Sequence, residues 1–330
     1  MALMQRPTSR PVAWQRALTR FPAPARRELD RMWETGGMLP AETVARLLTE
    51  LKVDTGTLML RLLPVAQAYA QVPVSHYPVG AVAAGLLARG ERCPNLYLGA
   101  NLEIAGVALS FTVHAEQSAT NHAWLHGEPG LSALAVSAAP CGYCRQFLHE
   151  LSTAHTLSLL LPSGNKAGYT VTPLAHLLPQ AFGPVDLGVQ GGLMDPTLAS
   201  PRLAIDASAA KDELAAAALA AARRSYAPYP TDRTGQFSGV ALQAASGRIF
   251  EGRYAGNAAY NPSLSPLESA LAFMRMSGPP DRATEIRRCA LVEVPTLASQ
   301  RSATEAVLAA CAPGVKLEYH AARPGRTARR

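Results

Sequence analysis

His114 and Glu116 stand two residues apart, and a Pro-Cys-Gly-Tyr-Cys-Arg-Gln run follows at 140–146. Together they supply one imidazole, two thiols and a spare carboxylate. Zinc is commonly held by His and Cys, and a catalytic zinc keeps a fourth position open to water. A carboxylate two residues from the His would face that water without ligating the metal. Cys141 and Cys144, three apart on a helix, would lie on one face. At the helix's first turn, free amides and the positive end of the dipole favour thiolates. One neutral imidazole and two thiolates leave a zinc centre formally uncharged. Its water would ionise less readily than on an all-His site, so Glu116 is needed as the base. Arg145 and Gln146, beside the thiolates, read as groups that soften their charge from behind.

Two competing readings use the same residues. Cys141 and Cys144 could form a redox pair, which Pro140 and the upstream His-Ala-Glu disfavour. A structural zinc would need a fourth ligand. His122 and His126 are candidates, but they lie roughly two or three turns beyond His114, and both read better as ordinary helix residues. Cys93, Cys289 and Cys311 have no partner motif and read as plain thiols.

The elements that must position these groups follow from periodicity. Residues 24–70 carry apolar residues at three-and-four spacing and predict a helical segment, with Thr55 or Asp54 suited to an N-cap. A β pattern spans 78–87 and then 95–100. The spacing predicts a helix from His114 to His126, stopped by Gly127 and Pro129-Gly130, then a strand over 131–138. A second helix begins at Cys141 and a further strand covers 156–161. Strands separated by helices imply crossovers on a shared sheet. Residues 163–192 read as a connector with short elements. After residue 205 the pattern repeats: an Ala-rich helix over 211–225, strands near 237–242 and 247–250, then Gly256-Asn-Ala-Ala-Tyr and Ser265-Pro-Leu-Glu-Ser-Ala. Aligned on the first half, Pro266 would replace the metal His and Glu268 would stand at the position of Glu116, with no Cys-x-x-Cys after it.

The chain's 330 residues suggest about two domains. Five cysteines, an odd number, do not read as a disulfide framework, and a reducing compartment suits metal-binding thiols. No apolar run approaches the roughly 18 residues of a membrane span, and no apolar leader suggests secretion. The formal charge of +7 is carried by the ends: residues 1–27 hold six Arg, residues 321–330 hold four, and neither end holds an acid, leaving about −3 for the rest. Basic tails on a near-neutral body do not describe a nucleic-acid-binding face. The Arg-rich leader is also similar to a transit peptide, although Trp14 and Phe21 could equally pack onto the helical segment.

The His-x-Glu and Pro-Cys-x-x-Cys pair resembles the signature of zinc deaminases. In that chemistry a metal-activated water adds to the ring carbon, the Glu carries its proton to the ring nitrogen, and ammonia leaves. Outside the zinc motif, Ser75-His-Tyr-Pro-Val-Gly-Ala, Gly99-Ala-Asn-Leu-Glu, Ala181-Phe-Gly-Pro and Gly256-Asn-Ala-Ala-Tyr-Asn-Pro are narrower. Over about residues 24–320 the chain resembles cytidine deaminases of the long, homodimeric bacterial and plant form.

That resemblance implies an α/β fold: a small helical domain (24–70), then two α/β/α deaminase-like domains of mixed sheet and flanking helices. The first (71–186) would be catalytic and the second (211–322) degenerate and without zinc, joined by a linker at 187–210, with basic tails at 1–23 and 323–330. It implies one Zn2+ per subunit on His114, Cys141 and Cys144, with Glu116 as proton shuttle. Asn101 and Glu103 would clamp the ribose 3′-hydroxyl and Tyr77, where the family commonly has Phe, would stack on the base. The Ala115 amide would hold the pyrimidine carbonyl, the Ala139 carbonyl would meet the leaving amine, and Phe182 would reach into a neighbouring subunit. The expected function is zinc-dependent hydrolysis of cytidine and deoxycytidine to uridine and deoxyuridine, in a cytoplasmic homodimer of pyrimidine salvage. A polynucleotide deaminase using the basic tails and a monophosphate deaminase are the alternatives.

Overall fold

The computed structural model describes residues 10–164, 168–230, 234–278 and 286–325. Its first layer is helical: α1 (Val12–Leu18), α2 (Ala23–Asp30), α3 (Met32–Thr35), α4 (Ala41–Leu51) and α5 (Thr55–Gln67), with the two-residue strand β1 (Met38–Leu39) between α3 and α4. Asp54 caps α5 by accepting from the Thr57 amide at 2.6 Å. The helical layer begins earlier than the expected boundary at residue 24. Trp14 packs against Trp33 and Tyr69 with ring centroids 5.1 and 5.6 Å away, and its indole N–H donates to Asp30. Phe21 is buried with them. The described part of the Arg-rich leader is therefore held by its two aromatics. Residues 1–9 of the expected tail lie outside the described residues.

The first α/β unit follows. Strands β2 (Gly80–Gly85) and β3 (Leu96–Ala100) precede α6 (Ala115–Leu125). Then come β4 (Leu131–Val136), α7 (Gly142–His149), β5 (Ser158–Pro162), β6 (Tyr169–Pro173) and the single turn α8 (Leu174–Leu177). The sheet runs β1-β3-β2-β4-β5-β6 and is mixed, with β4 and β5 parallel across α7. Residues 169–177 thus give the expected connector a strand and a short helix.

A two-residue strand, β7 (Leu203–Ala204), leads into the second unit: α9 (Glu213–Arg223), β8 (Ser238–Ala244), β9 (Ile249–Arg253), α10 (Pro266–Met276), β10 (Ile286–Glu293), α11 (Arg301–Cys311) and β11 (Leu317–Ala321). Its sheet runs β11-β10-β8-β9, again with one parallel pair, β10 and β11. The expected tail at 323 instead opens with β12 (Arg323–Pro324), which pairs with β7. Residues 326–330 lie outside the described residues.

The two units share one apolar core. It runs from Ala115, Ala119 and Ala123 of α6 to Leu267, Ala270 and Met274 of α10. Close helix–sheet approach needs glycine in both units: a Cβ on Gly99 of β3 would collide with the Ala119 amide, and one on Gly252 of β9 with the Ala270 amide. Between the helices, Asn121 and Ser269 bond reciprocally, amide to carbonyl at 3.0 Å and hydroxyl to amide oxygen at 2.6 Å.

Candidate active site

The loop out of β3 delivers His114 as the N-cap of α6, and the loop out of β4 delivers Cys141 as the N-cap of α7, both in extended conformation. Cys144 follows in the first turn of α7. His114 Nδ1 lies 3.2 Å from Cys144 Sγ and 3.7 Å from Cys141 Sγ, and the sulfurs are 3.6 Å apart. That separation is far above the roughly 2.05 Å of a disulfide, so the two thiols are not covalently bonded to each other; what favours metal over a redox pair is His114 on the same triangle. Tetrahedral zinc with its usual sulfur and nitrogen bond lengths needs ligand–ligand edges of about 3.5–3.8 Å. The three atoms form a triangle of nearly that size, and they are the one such metal-ligating group among the described residues.

Glu116, on the first turn of α6, is only 4% exposed. Burial raises its proton affinity, against the pull of its own helix amide, a bond from Cys144 and the charge of His114. The thiols share one hydrogen bond, which brings Cys141 down to about 5, while that bond, burial and Glu116 push Cys144 up. Two thiols and a carboxylate this close are short of positive charge, and a divalent cation supplies it. The donor set, its spacing and its electrostatics fit zinc.

The remaining candidates divide. Arg145 donates to the Pro140 carbonyl, just before Cys141, and to the Leu177 carbonyl, both at 2.9 Å. Gln146 turns the other way, to the Phe182 carbonyl at 2.8 Å. Both brace loops through bonds to carbonyls. Asn101 and Glu103 are directed at one loop: Asn101 accepts from the Val79 amide and donates to the Tyr77 carbonyl, and Glu103 accepts from the amides of Val74 and Ser75. Burial works against the Glu103 carboxylate, but bonds from Ser75 and Val74 outweigh it and hold its pKa below the usual range. Tyr77 stands 61% exposed at that loop, next to His76 with φ of 55°. Ala115, at the first position of α6, is buried, whereas Ala139 is exposed in the loop before Cys141. Phe182 is 47% exposed. His122 and His126 lie at the far end of α6, edge to face with each other at 4.8 Å and against Tyr97 and Phe273, so neither serves as a fourth ligand.

Sequence reasoning missed three supports. Gln117 accepts from the His114 amide at 3.1 Å and fixes the start of α6. The Tyr143 ring lies over His114, centroids 5.4 Å apart and inclined by 32°. Glu150, at the end of α7, accepts from the Tyr226 and Tyr229 hydroxyls and the Ala258 amide. The signal for Gln117 was present, since a Gln at the third helical position is a capping residue. Glu150 carried no local signal, because its partners lie in the other unit.

The second unit repeats the scaffold in a register that corrects the expected alignment. Gly80 pairs with Ala100 as Gly239 does with Arg253, and Ala81 with Val136 as Val240 does with Leu291. Ser118 accepts from the Ala100 amide, and Ser269 from the Arg253 amide. Ser265 therefore occupies the place of His114 and Leu267 that of Glu116, and no Cys-x-x-Cys stands in the second unit. Glu268 does not replace Glu116. It matches Gln117, and like it accepts from the N-cap amide, that of Ser265 at 3.1 Å.

Comparison with known proteins agrees with this duplicated architecture. A family model of the cytidine and deoxycytidylate deaminase zinc-binding region matches residues 54–159, and a second model of the same description matches 174–305. A cytidine deaminase of Photorhabdus laumondii is 46% identical over 274 residues, covering 83% of this chain and 86% of that one. One of Aliivibrio fischeri is 40% identical over 308 residues, covering 92% and 96%. One of Vibrio cholerae is 41% identical over 309 residues, covering 92% and 97%. With its His-Cys-Cys triangle in one unit and a copy of the same scaffold without that triangle in the other, the chain belongs to the cytidine deaminase family, in a long form with two deaminase-like domains.

Proposed function

We propose that this chain is a zinc-dependent hydrolase that deaminates cytidine and deoxycytidine to uridine and deoxyuridine with release of ammonia. The observation that carries this reading is a buried carboxylate of raised proton affinity, Glu116, beside the triangle of His114, Cys141 and Cys144. His114, Cys141 and Cys144 would hold one zinc, which when bound lowers the pKa of a water and so makes it a nucleophile near neutral pH. Glu116 does the proton work: its carboxylate takes a proton from that water, gives it to the pyrimidine ring nitrogen, and then serves the departing amine. Burial suits it to this task, because a base of raised pKa can also return the proton.

Around that chemistry we assign the Ala115 amide to the pyrimidine carbonyl. As the first amide of α6 it has no partner within the helix. The Ala139 carbonyl faces the leaving amine, and Tyr77 stacks on the base. Glu103, held anionic, and Asn101 grip the ribose 3′-hydroxyl while they shape the loop that carries Tyr77. A grip on the 3′-hydroxyl leaves the 2′ position unconstrained, so both sugars are accepted. Arg145 and Gln146 keep the loops behind the ligands in place. Residues 71–186 are the catalytic domain, 211–322 the degenerate one and 187–210 the linker. The assembly is a cytoplasmic homodimer in which an exposed Phe182 reaches the neighbouring copy's site. No described helix is long and apolar enough to cross a membrane, and the partner is a small nucleoside. The polynucleotide reading is not favoured, since relatives covering 92% of the chain are cytidine deaminases.

The test is ultraviolet absorbance of zinc-loaded protein with free cytidine. Rapid loss of the cytosine band that disappears in Glu116→Gln supports the assignment. No loss with zinc bound and the fold intact overturns it.

A further inference from the structure

At the opposite end of α6 from His114, about 16 Å along its axis, a cavity of about 230 Å³ opens between the two units. The end of α6 forms one wall, the connector near Asp195 a second, and the ends of α9 and β9 the others. Three arginines line it: Arg223, Arg224 and Arg253. Two are already committed. Arg223 donates twice to the Leu203 carbonyl, and Arg224 pairs with Glu251.

Arg253 differs. It is 7% exposed, and no ion pair to it is found among the described residues. It makes one long bond, to the Trp124 carbonyl at 3.3 Å. Its guanidinium carbon lies 5.2 Å from the Trp124 ring centroid, and its buried Nε–H has no hydrogen-bond partner. Burial, aided by the charge of Arg224, lowers its pKa to about 10, so it remains a cation at neutral pH. The lining carboxylates do not answer it. Glu128 accepts from Asn95 and Tyr97, and Asp195 turns back to Thr197. A buried guanidinium with unspent donors is costly unless an acceptor meets it. Its planar fork matches an oxyanion in two-point fashion.

We propose that this cavity is an oxyanion site for a phosphate group, anchored by Arg253. Its size accepts inorganic phosphate or the phosphate end of a nucleotide. The inference does not depend on the function proposed above, since none of its residues belongs to the metal site.

The test titrates zinc-loaded full-length protein with inorganic phosphate, and separately with uridine 5′-monophosphate, against chloride at matched ionic strength. Calorimetry and thermal melting read the binding. Saturable binding that weakens about tenfold or more in Arg253→Met, with cytidine turnover unchanged, supports the site. Arg253-dependent binding of the nucleotide alone assigns the phosphate to a nucleotide. Should Arg253→Met fail to fold, Arg253→Lys keeps the charge and stem but loses the fork, and a several-fold weakening is expected there. No saturable binding of either anion, or binding equally strong in the variants, overturns the proposal.

Discussion

The two deaminase-like units hold the same helix against the same sheet by the same devices, yet only one carries a metal triad. In α6 and α10 the N-cap amide donates to the third-position side chain, Gln117 or Glu268, and a serine one residue later accepts from the neighbouring strand. What the second unit lacks is the chemistry: Ser265 stands for His114 and Leu267 for Glu116, and no Cys-x-x-Cys follows to match Cys141 and Cys144. The scaffold and the chemistry are therefore separable. Capping and close packing place a helix end whether or not anything reacts there.

Removing a ligand should draw the sharpest contrast between the units. Cys144→Ser is expected to lose zinc on dialysis and all measurable turnover, and a chelator should do the same to the parent until zinc is restored. A chelated enzyme that keeps its rate would end the metal reading. Glu116→Gln should bind zinc and fold while turnover falls by about two to four orders of magnitude. A fall of only twofold would remove Glu116 from the mechanism.

A third expectation concerns the wall between the units. His122 sits at about 3 instead of 6.5, first because it is buried and next because of the charge of His126. Between those values the unfolded chain holds a proton that the folded chain refuses, so stability falls as acid is added through that window. The slope contributed is up to about 1.4 kcal/mol per pH unit. His122→Gln, which keeps a donor for the Leu98 carbonyl, should flatten the acid limb of a denaturation series. An unchanged limb would assign that limb to other groups. The smallest effect belongs to Glu268→Gln. It should cost at most about 1 kcal/mol of stability through a weaker cap and leave turnover within about twofold. A large kinetic loss would show that the second unit takes part in catalysis.

The metal site could be read from the sequence because its chemistry is written in residue types and its placement in two helix starts. Strands β4 and β5 and helices α6 and α7 fell where apolar periodicity put them. Three things were not legible. The echo's register slipped by one because a Glu before a Ser looks the same whether it caps a helix or serves a metal, and only strand pairing at Gly239 and Arg253 separates the two. Trp14 and Phe21 were legible only as an open choice between packing on the helical segment and a transit-like leader, since local charge says nothing of a partner such as Tyr69, far along the chain. The brace at Glu150 and the lone guanidinium of Arg253 depend on contacts between the units, which no local pattern encodes.

Helix α7 has only eight residues, about 12 Å of axis. Its first turn presents both sulfurs, its middle braces Pro140, Leu177 and Phe182, and its end plugs Glu150 into the second unit. For anyone redesigning this enzyme, the transplantable part is consequently not the Cys-x-x-Cys peptide. It is the short rod together with the sockets at both of its ends, and the copy without the triangle is one of those sockets.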